Sequence, residues 1–190
     1  MTFKSIQKII AVSAASALLL SGCESLKSFE WPSFGAGNAA NDCPVTGITT
    51  DLGNLTQFRD NEIISETIIA SVKPDCTKDD KAVTVRLAID FKGRLGPAGM
   101  KDAKTEASYS IPYLVAVVNP KGEIISKDIF AITMVYKNGQ TEQSFPDLLE
   151  QVIPLPEGTK PADYKIMLGF QLNDQELAYN RALTAEKSVK

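Results

Sequence analysis

The chain contains no histidine. Histidine is the usual general base near neutral pH, and every Ser-His or Cys-His arrangement needs it, so only carboxylate, lysine or tyrosine chemistry stays open. Cysteine is scarce, with Cys23, Cys43 and Cys76 the only three. Zinc takes four ligands, and with no histidine to complete a set no metal site is expected; no cofactor motif is present either. Basic charge is not in excess, since 20 lysines and arginines face 23 acids. That balance argues against nucleic acid or anionic lipid headgroups as the main partner. Long apolar runs are missing too, apart from residues 9–20. As a helix that run covers about 18 Å, too short for a ~30 Å hydrocarbon core.

What the run does have is the setting of a secretory signal. Lys4 and Lys8 precede it with no acid to offset them, and Leu20-Ser21-Gly22-Cys23 closes it. This tetrapeptide resembles the bacterial lipobox, Leu-(Ala/Ser)-(Gly/Ala)-Cys, at all four positions. Residues 1–22 are therefore read as a cleaved lipoprotein signal peptide and Cys23 as the acylated first residue of the mature chain. Each buried CH₂ contributes about 0.8 kcal/mol, so two thioether-linked chains and an amide-linked third would hold the protein to a membrane. The alternatives are an ordinary secreted protein with a chance cysteine, or a short membrane anchor. By resemblance to the sorting rule of enteric bacteria, Glu24 in place of aspartate favours the outer membrane. Loss of Lys4 and Lys8 leaves 18 of the 20 basic side chains against all 23 acids, a balance of about −5.

With Cys23 lipidated, Cys43 and Cys76 remain as an even pair in an oxidising compartment and are read as a disulfide, the alternative being two free thiols. Residues 24–42 are rich in Ser, Gly, Ala and Asn and read as a flexible tether; its Phe29, Trp31 and Phe34 are either an aromatic patch for headgroups or incidental. The folded domain is expected over 43–185. A short strand is expected at 45–50 and another at 63–72, ended by Lys73-Pro74-Asp75. Val83, Val85, Leu87, Ile89 and Phe91 alternate with polar residues, a period of two that buries one face of a strand. The Gly93-x-x-Gly96-x-x-Gly99 run that follows fits no phosphate-binding spacing and reads as a mobile surface loop. Residues 108–118, 123–136 and 141–145 are expected to form a three-stranded meander, with turns at 119–122 and at Asn138-Gly139. Residues 148–155 stay open between a helical turn and a strand. Tyr164, Ile166, Leu168, Phe170 and Leu172 alternate again, and Tyr164 after a Pro/Gly corner resembles the tyrosine corner of immunoglobulin-like sandwiches, or is an ordinary strand tyrosine. A helix follows, capped by Asn173 with Glu176 at its third position.

Phe170-Gln-Leu-Asn-Asp-Gln-Glu-Leu-Ala-Tyr-Asn-Arg181, with Cys43-Pro-Val, Gly96-Pro97, Tyr113-Leu-Val-Ala-Val-Val-Asn-Pro-Lys-Gly122 and Ile153-Pro-Leu-Pro-Glu-Gly158, resembles a family of alphaproteobacterial outer-membrane lipoproteins. The resemblance covers roughly 43–182. It implies an envelope address and the domain limits, and it transfers no functional residue, because that family carries no assigned activity. The expectation is an all-β, immunoglobulin-like β-sandwich with a C-terminal α-helix, on the periplasmic face of the outer membrane. It would be membrane-bound through its lipid, with an envelope protein as partner and a non-enzymatic binding or assembly role. The alternatives are a small carboxylate-dependent hydrolase and a peptidoglycan or glycan binder. If the edge of strand 163–172 is neither covered by the helix nor paired with 45–50, Tyr164, Ile166, Leu168 and Phe170 would mark a strand-addition site for that partner.

Overall fold

The alternation at 83–91 buries the side chains its spacing predicts: Val83, Val85, Leu87, Ile89 and Phe91 are all within 1% of full burial. In the computed structural model, which describes residues 43–103 and 106–188, they lie on β4 (Ala82–Leu95). Burying side chains of this size stabilises by about 1.5–3 kcal/mol each, so β4 supplies much of the core. One neighbour is β3 (Glu62–Lys78), with β2 (Asn54–Arg59) beyond it; the other is β7 (Glu142–Pro154). The facing sheet has the order β1 (Val45–Ile48), β8 (Lys165–Phe170), β5 (Glu106–Val118), β6 (Ile124–Lys137). The chain is thus a two-sheet β-sandwich with a C-terminal helix. Aromatic rings join the layers: Phe91 lies 5.0 Å from Tyr113 and 6.0 Å from Phe170, centroid to centroid.

β5 is apolar on both faces from Tyr113 to Val118, and it sits between β8 and β6 as such a strand should. The turn after it forms as expected, with the Gly122 amide donating to the Asn119 carbonyl at 3.0 Å. The meander does not continue. Asn138 (φ 52°) and Gly139 (φ 77°) do make a tight turn, but β7 crosses to the other sheet and pairs with β4 from Ala82↔Pro154 to Arg94↔Glu142. A two-residue turn fixes the local backbone, whereas sheet membership follows burial: β7 brings Leu149 and Ile153 opposite Leu87 and Val83. This also makes residues 148–154 strand, with Leu155 just beyond its end.

Two further expectations are corrected. β3 does not stop before Pro74 but runs through it to Lys78. β2 reaches only to Ile68 of β3, so the amide hydrogen that Pro74 lacks has no strand on that side to meet. The glycine-rich run is not a mobile loop either. Gly93 continues the inward row of β4, which Leu95 ends, and Gly96 caps the short helix α1 (Pro97–Asp102). A Cβ on Gly96 would strike the Ile63 carbonyl and one on Gly99 the Ile64 carbonyl, so this run is packed backbone to backbone against β3.

The last element, α2 (Asp174–Ser188), starts with the reciprocal cap its sequence predicts. The Asn173 amide donates to Glu176 at 2.9 Å, and the Glu176 amide donates to the Asn173 side chain at 3.0 Å. α2 then packs along β2. Tyr179 meets Phe58 edge-on at 5.2 Å, and the buried Asn180 amide donates to the carbonyls of Asp51 and Asn54.

Candidate functional site

Cys23 and the tether aromatics Phe29, Trp31 and Phe34 lie outside the described residues. Cys43 and Cys76 are joined, their Cα atoms 5.9 Å apart, inside the range a disulfide takes. Cys43 leads into β1 of one sheet and Cys76 belongs to β3 of the other, so the bond staples the layers.

Strand 163–172, whose edge could be covered, paired with 45–50 or open, is paired on both sides. On one side β1 runs parallel to β8 from Val45↔Lys165 to Ile48↔Leu168, extended by the Val45 amide donating to Tyr164 and the Thr49 amide to Leu168. On the other side β5 pairs with β8 from Lys165 to Phe170. Tyr164, Ile166, Leu168 and Phe170 are buried in the core, so they form no partner-binding row. Pairing with the early segment, one of the arrangements open from the sequence, removes the strand-addition site at this position.

A groove of about 480 Å³ crosses the outer face of the β2–β3–β4–β7 sheet, lined by Glu66, Ile68, Lys92, Arg94, Glu142 and Ser144. A second, of about 330 Å³, shares Glu66, Arg94 and Glu142 with it and adds Ile63, Pro97 and Met100. Arg94 donates to Glu66 at 2.6 Å. That hydrogen bond, and then the charge of Glu66, hold the guanidinium more firmly protonated than usual. Register places Glu142 on its other side, so Arg94 is compensated within the protein. Among the described residues no group of three or more acidic, cysteine or histidine side chains is placed to hold a metal ion.

Other polar clusters serve the frame. Asp102 of α1 accepts two bonds from Arg59 of β2 and one from Tyr109 of β5. The bonds from Arg59 and then Tyr109 hold its carboxyl below the ordinary range. Tyr113 donates to Asp147 across the sheets; burial, and then that bond, raise its phenol well above the ordinary value.

The strand edges are more informative. β1 has four residues and β2 six, and α2 packs along β2. The part of β3 beyond β2 carries Pro74 and the stapled Cys76. β7 carries Pro146 and the acids Glu142, Asp147 and Glu150. Each of these edges is shortened, covered or charged, which are the devices that stop stray strand pairing. β6 has fourteen residues and, among the described strands, one neighbour. Its stretch 129–136 has no charge and no proline. Ile124, Ile125 and Ile129 on it are 63%, 49% and 59% exposed. Sequence reasoning missed this edge because it placed β6 inside a meander; the stretch 129–136, free of charge and proline, was the signal available. The chain matches no protein-family model, no curated protein and no solved structure.

Proposed function

We propose that this protein is a lipoprotein acylated on Cys23, held by the 23–42 tether to the periplasmic face of the outer membrane. Its domain is immunoglobulin-like in the architectural sense of two sheets stapled by a disulfide. Its role is non-enzymatic binding or envelope assembly, with an envelope protein as partner and no nucleic acid. The resemblance to alphaproteobacterial outer-membrane lipoproteins supports the address. The observation that carries the binding role is the long β6 edge, with its charge-free run 129–136 and its exposed isoleucines. A carboxylate hydrolase would need two acids free to move protons in one cleft; the groove holds Glu66 and Glu142, and Glu66 is engaged by Arg94 at 2.6 Å.

Two measurements test this. Cys23→Ala should leave an unprocessed chain that no longer takes up a fatty-acid analogue; equal labelling of variant and wild type would refute the anchor. A photo-reactive residue at position 129 should give a protein adduct in cells, and one at the exposed Ala178 of α2 should not. No adduct from 129 above that control would refute the binding surface.

A further inference from the structure

The edge of β6 invites a more specific assignment, one that rests on the binding role proposed above. We propose that the occupant of this edge is a second copy of the same chain, with two β6 strands paired antiparallel about a two-fold axis at Ala131. The two β1–β8–β5–β6 sheets then form one continuous sheet.

Three observations lead there. First, β6 carries its charges only at Lys127, Asp128 and Lys137 and has the longest run free of charge and proline among the described edges, 129–136, and unpaired N–H and C=O groups on such a run are a template for another strand. Second, the edge is self-complementary. A two-fold axis perpendicular to a sheet pairs residues that share a face, which restricts the registers. Centring on Ile132 would set Lys127 against Lys137 of the second copy, like charges directly opposite, which is destabilising. Centring on Ala131 pairs all of 125–137 with no like charges opposed. Ile129 then meets Thr133 and Phe130 meets Ile132, while Lys127 meets Val135; Lys137 meets Ile125 and keeps its own Glu106 at 3.2 Å. Third, a foreign extended peptide gains specificity from pockets that take its alternate side chains. Both grooves lie on the other sheet and β6 lines neither. The edge offers backbone groups, and a copy of the same strand is a partner whose side chains match it by symmetry.

Cysteine substitution in the full-length chain tests the register. Directly opposed residues of an antiparallel pair have Cα atoms about 4.5–5.5 Å apart, within disulfide reach. Ala131→Cys faces itself and should link copies on its own. Ile129→Cys and Thr133→Cys should each stay unlinked, because position 129 and its own copy lie about 13 Å apart along the strand. Mixed together, those two variants should link. Ala131→Lys, at a position exposed in the single copy, opposes two charges at the axis and should raise the dimer dissociation constant at least tenfold in sedimentation. No linkage at 131 and none in the mixture would overturn the self-pairing. A position-129 photo-adduct to a different protein would do so as well while leaving the binding role standing; no adduct of any kind would remove both.

Discussion

Replacing Cys43 and Cys76 together by serine removes the covalent link between the sheets. The bond closes 33 residues of chain, and the chain-entropy expression then gives a loss of about 3.7 kcal/mol at 25 °C. At this domain size each kcal/mol moves the melting temperature by about 2–4 °C, so a fall of about 8–14 °C is expected. The structure adds where the loss is felt first. β1 has four residues and is held by a short parallel ladder to β8, and the cysteine just before it fixes its start. In the serine variant the amides of 46–49 should therefore lose hydrogen-exchange protection well before those of β4. The denaturant slope should rise as the unfolded chain expands. Thermal melts, urea titration and amide exchange on the oxidised, reduced and double-serine proteins supply the readings. A melting shift under about 2 °C, or loss of protection no faster at 46–49 than in β4, would refute the view of this bond as the clamp on β1.

Gly99→Ala sets a methyl against the Ile64 carbonyl and should destabilise by about 1–3 kcal/mol, while Met100→Ala at the next, exposed position should stay within about 0.5 kcal/mol; urea titration of both checks the contrast. Asn173→Ala breaks the reciprocal cap of α2 and should cost about 1 kcal/mol in the same titration. Burial, and then Tyr109, push the Tyr136 phenol up to about 12 from an ordinary value of about 10. Above the ordinary value the unfolded state sheds this proton first, so the stability it contributes is whole below about pH 10 and is lost as pH rises towards about 12. Tyr136→Phe should flatten the fall of stability over that window, and an unchanged alkaline profile would refute the assignment.

Much of this was legible in the chain because it is local. The rows at 83–91 and 164–170 announce their inward faces through spacing alone, and Asn173 with Glu176 announces the helix start. The disulfide follows from counting. What stayed hidden depends on partners far away in sequence. Pro74 reads as a strand terminator, and only the short reach of β2 shows why it is tolerated. Asn138-Gly139 reads as a hairpin, yet the burial of Ile153 against β4 sends the next strand to the other layer. The candidate site was hidden for the same reason. Whether a strand is an edge is a property of the whole sheet order, so β6 looked like the middle of a meander, while the pairing of β8 with the distant 45–50 segment could be named only as one arrangement among three.

The parallel pairing of β1 with β8 has a consequence for the order of events as the chain is made. Val45 is among the first residues of the domain to emerge, and its ladder partner Lys165 is among the last. The sheet holding β1 therefore cannot close during synthesis, and β4 must likewise wait for β7. Over that interval the nascent chain exposes two strands without their neighbours, the condition under which partly made β domains aggregate. Cys43 and Cys76 both precede β4, so where the chain emerges into an oxidising compartment their bond can form first and park β1 beside the β2–β3–β4 hairpins until β8 arrives. Read this way, the disulfide serves as a placeholder in time before it serves as a staple.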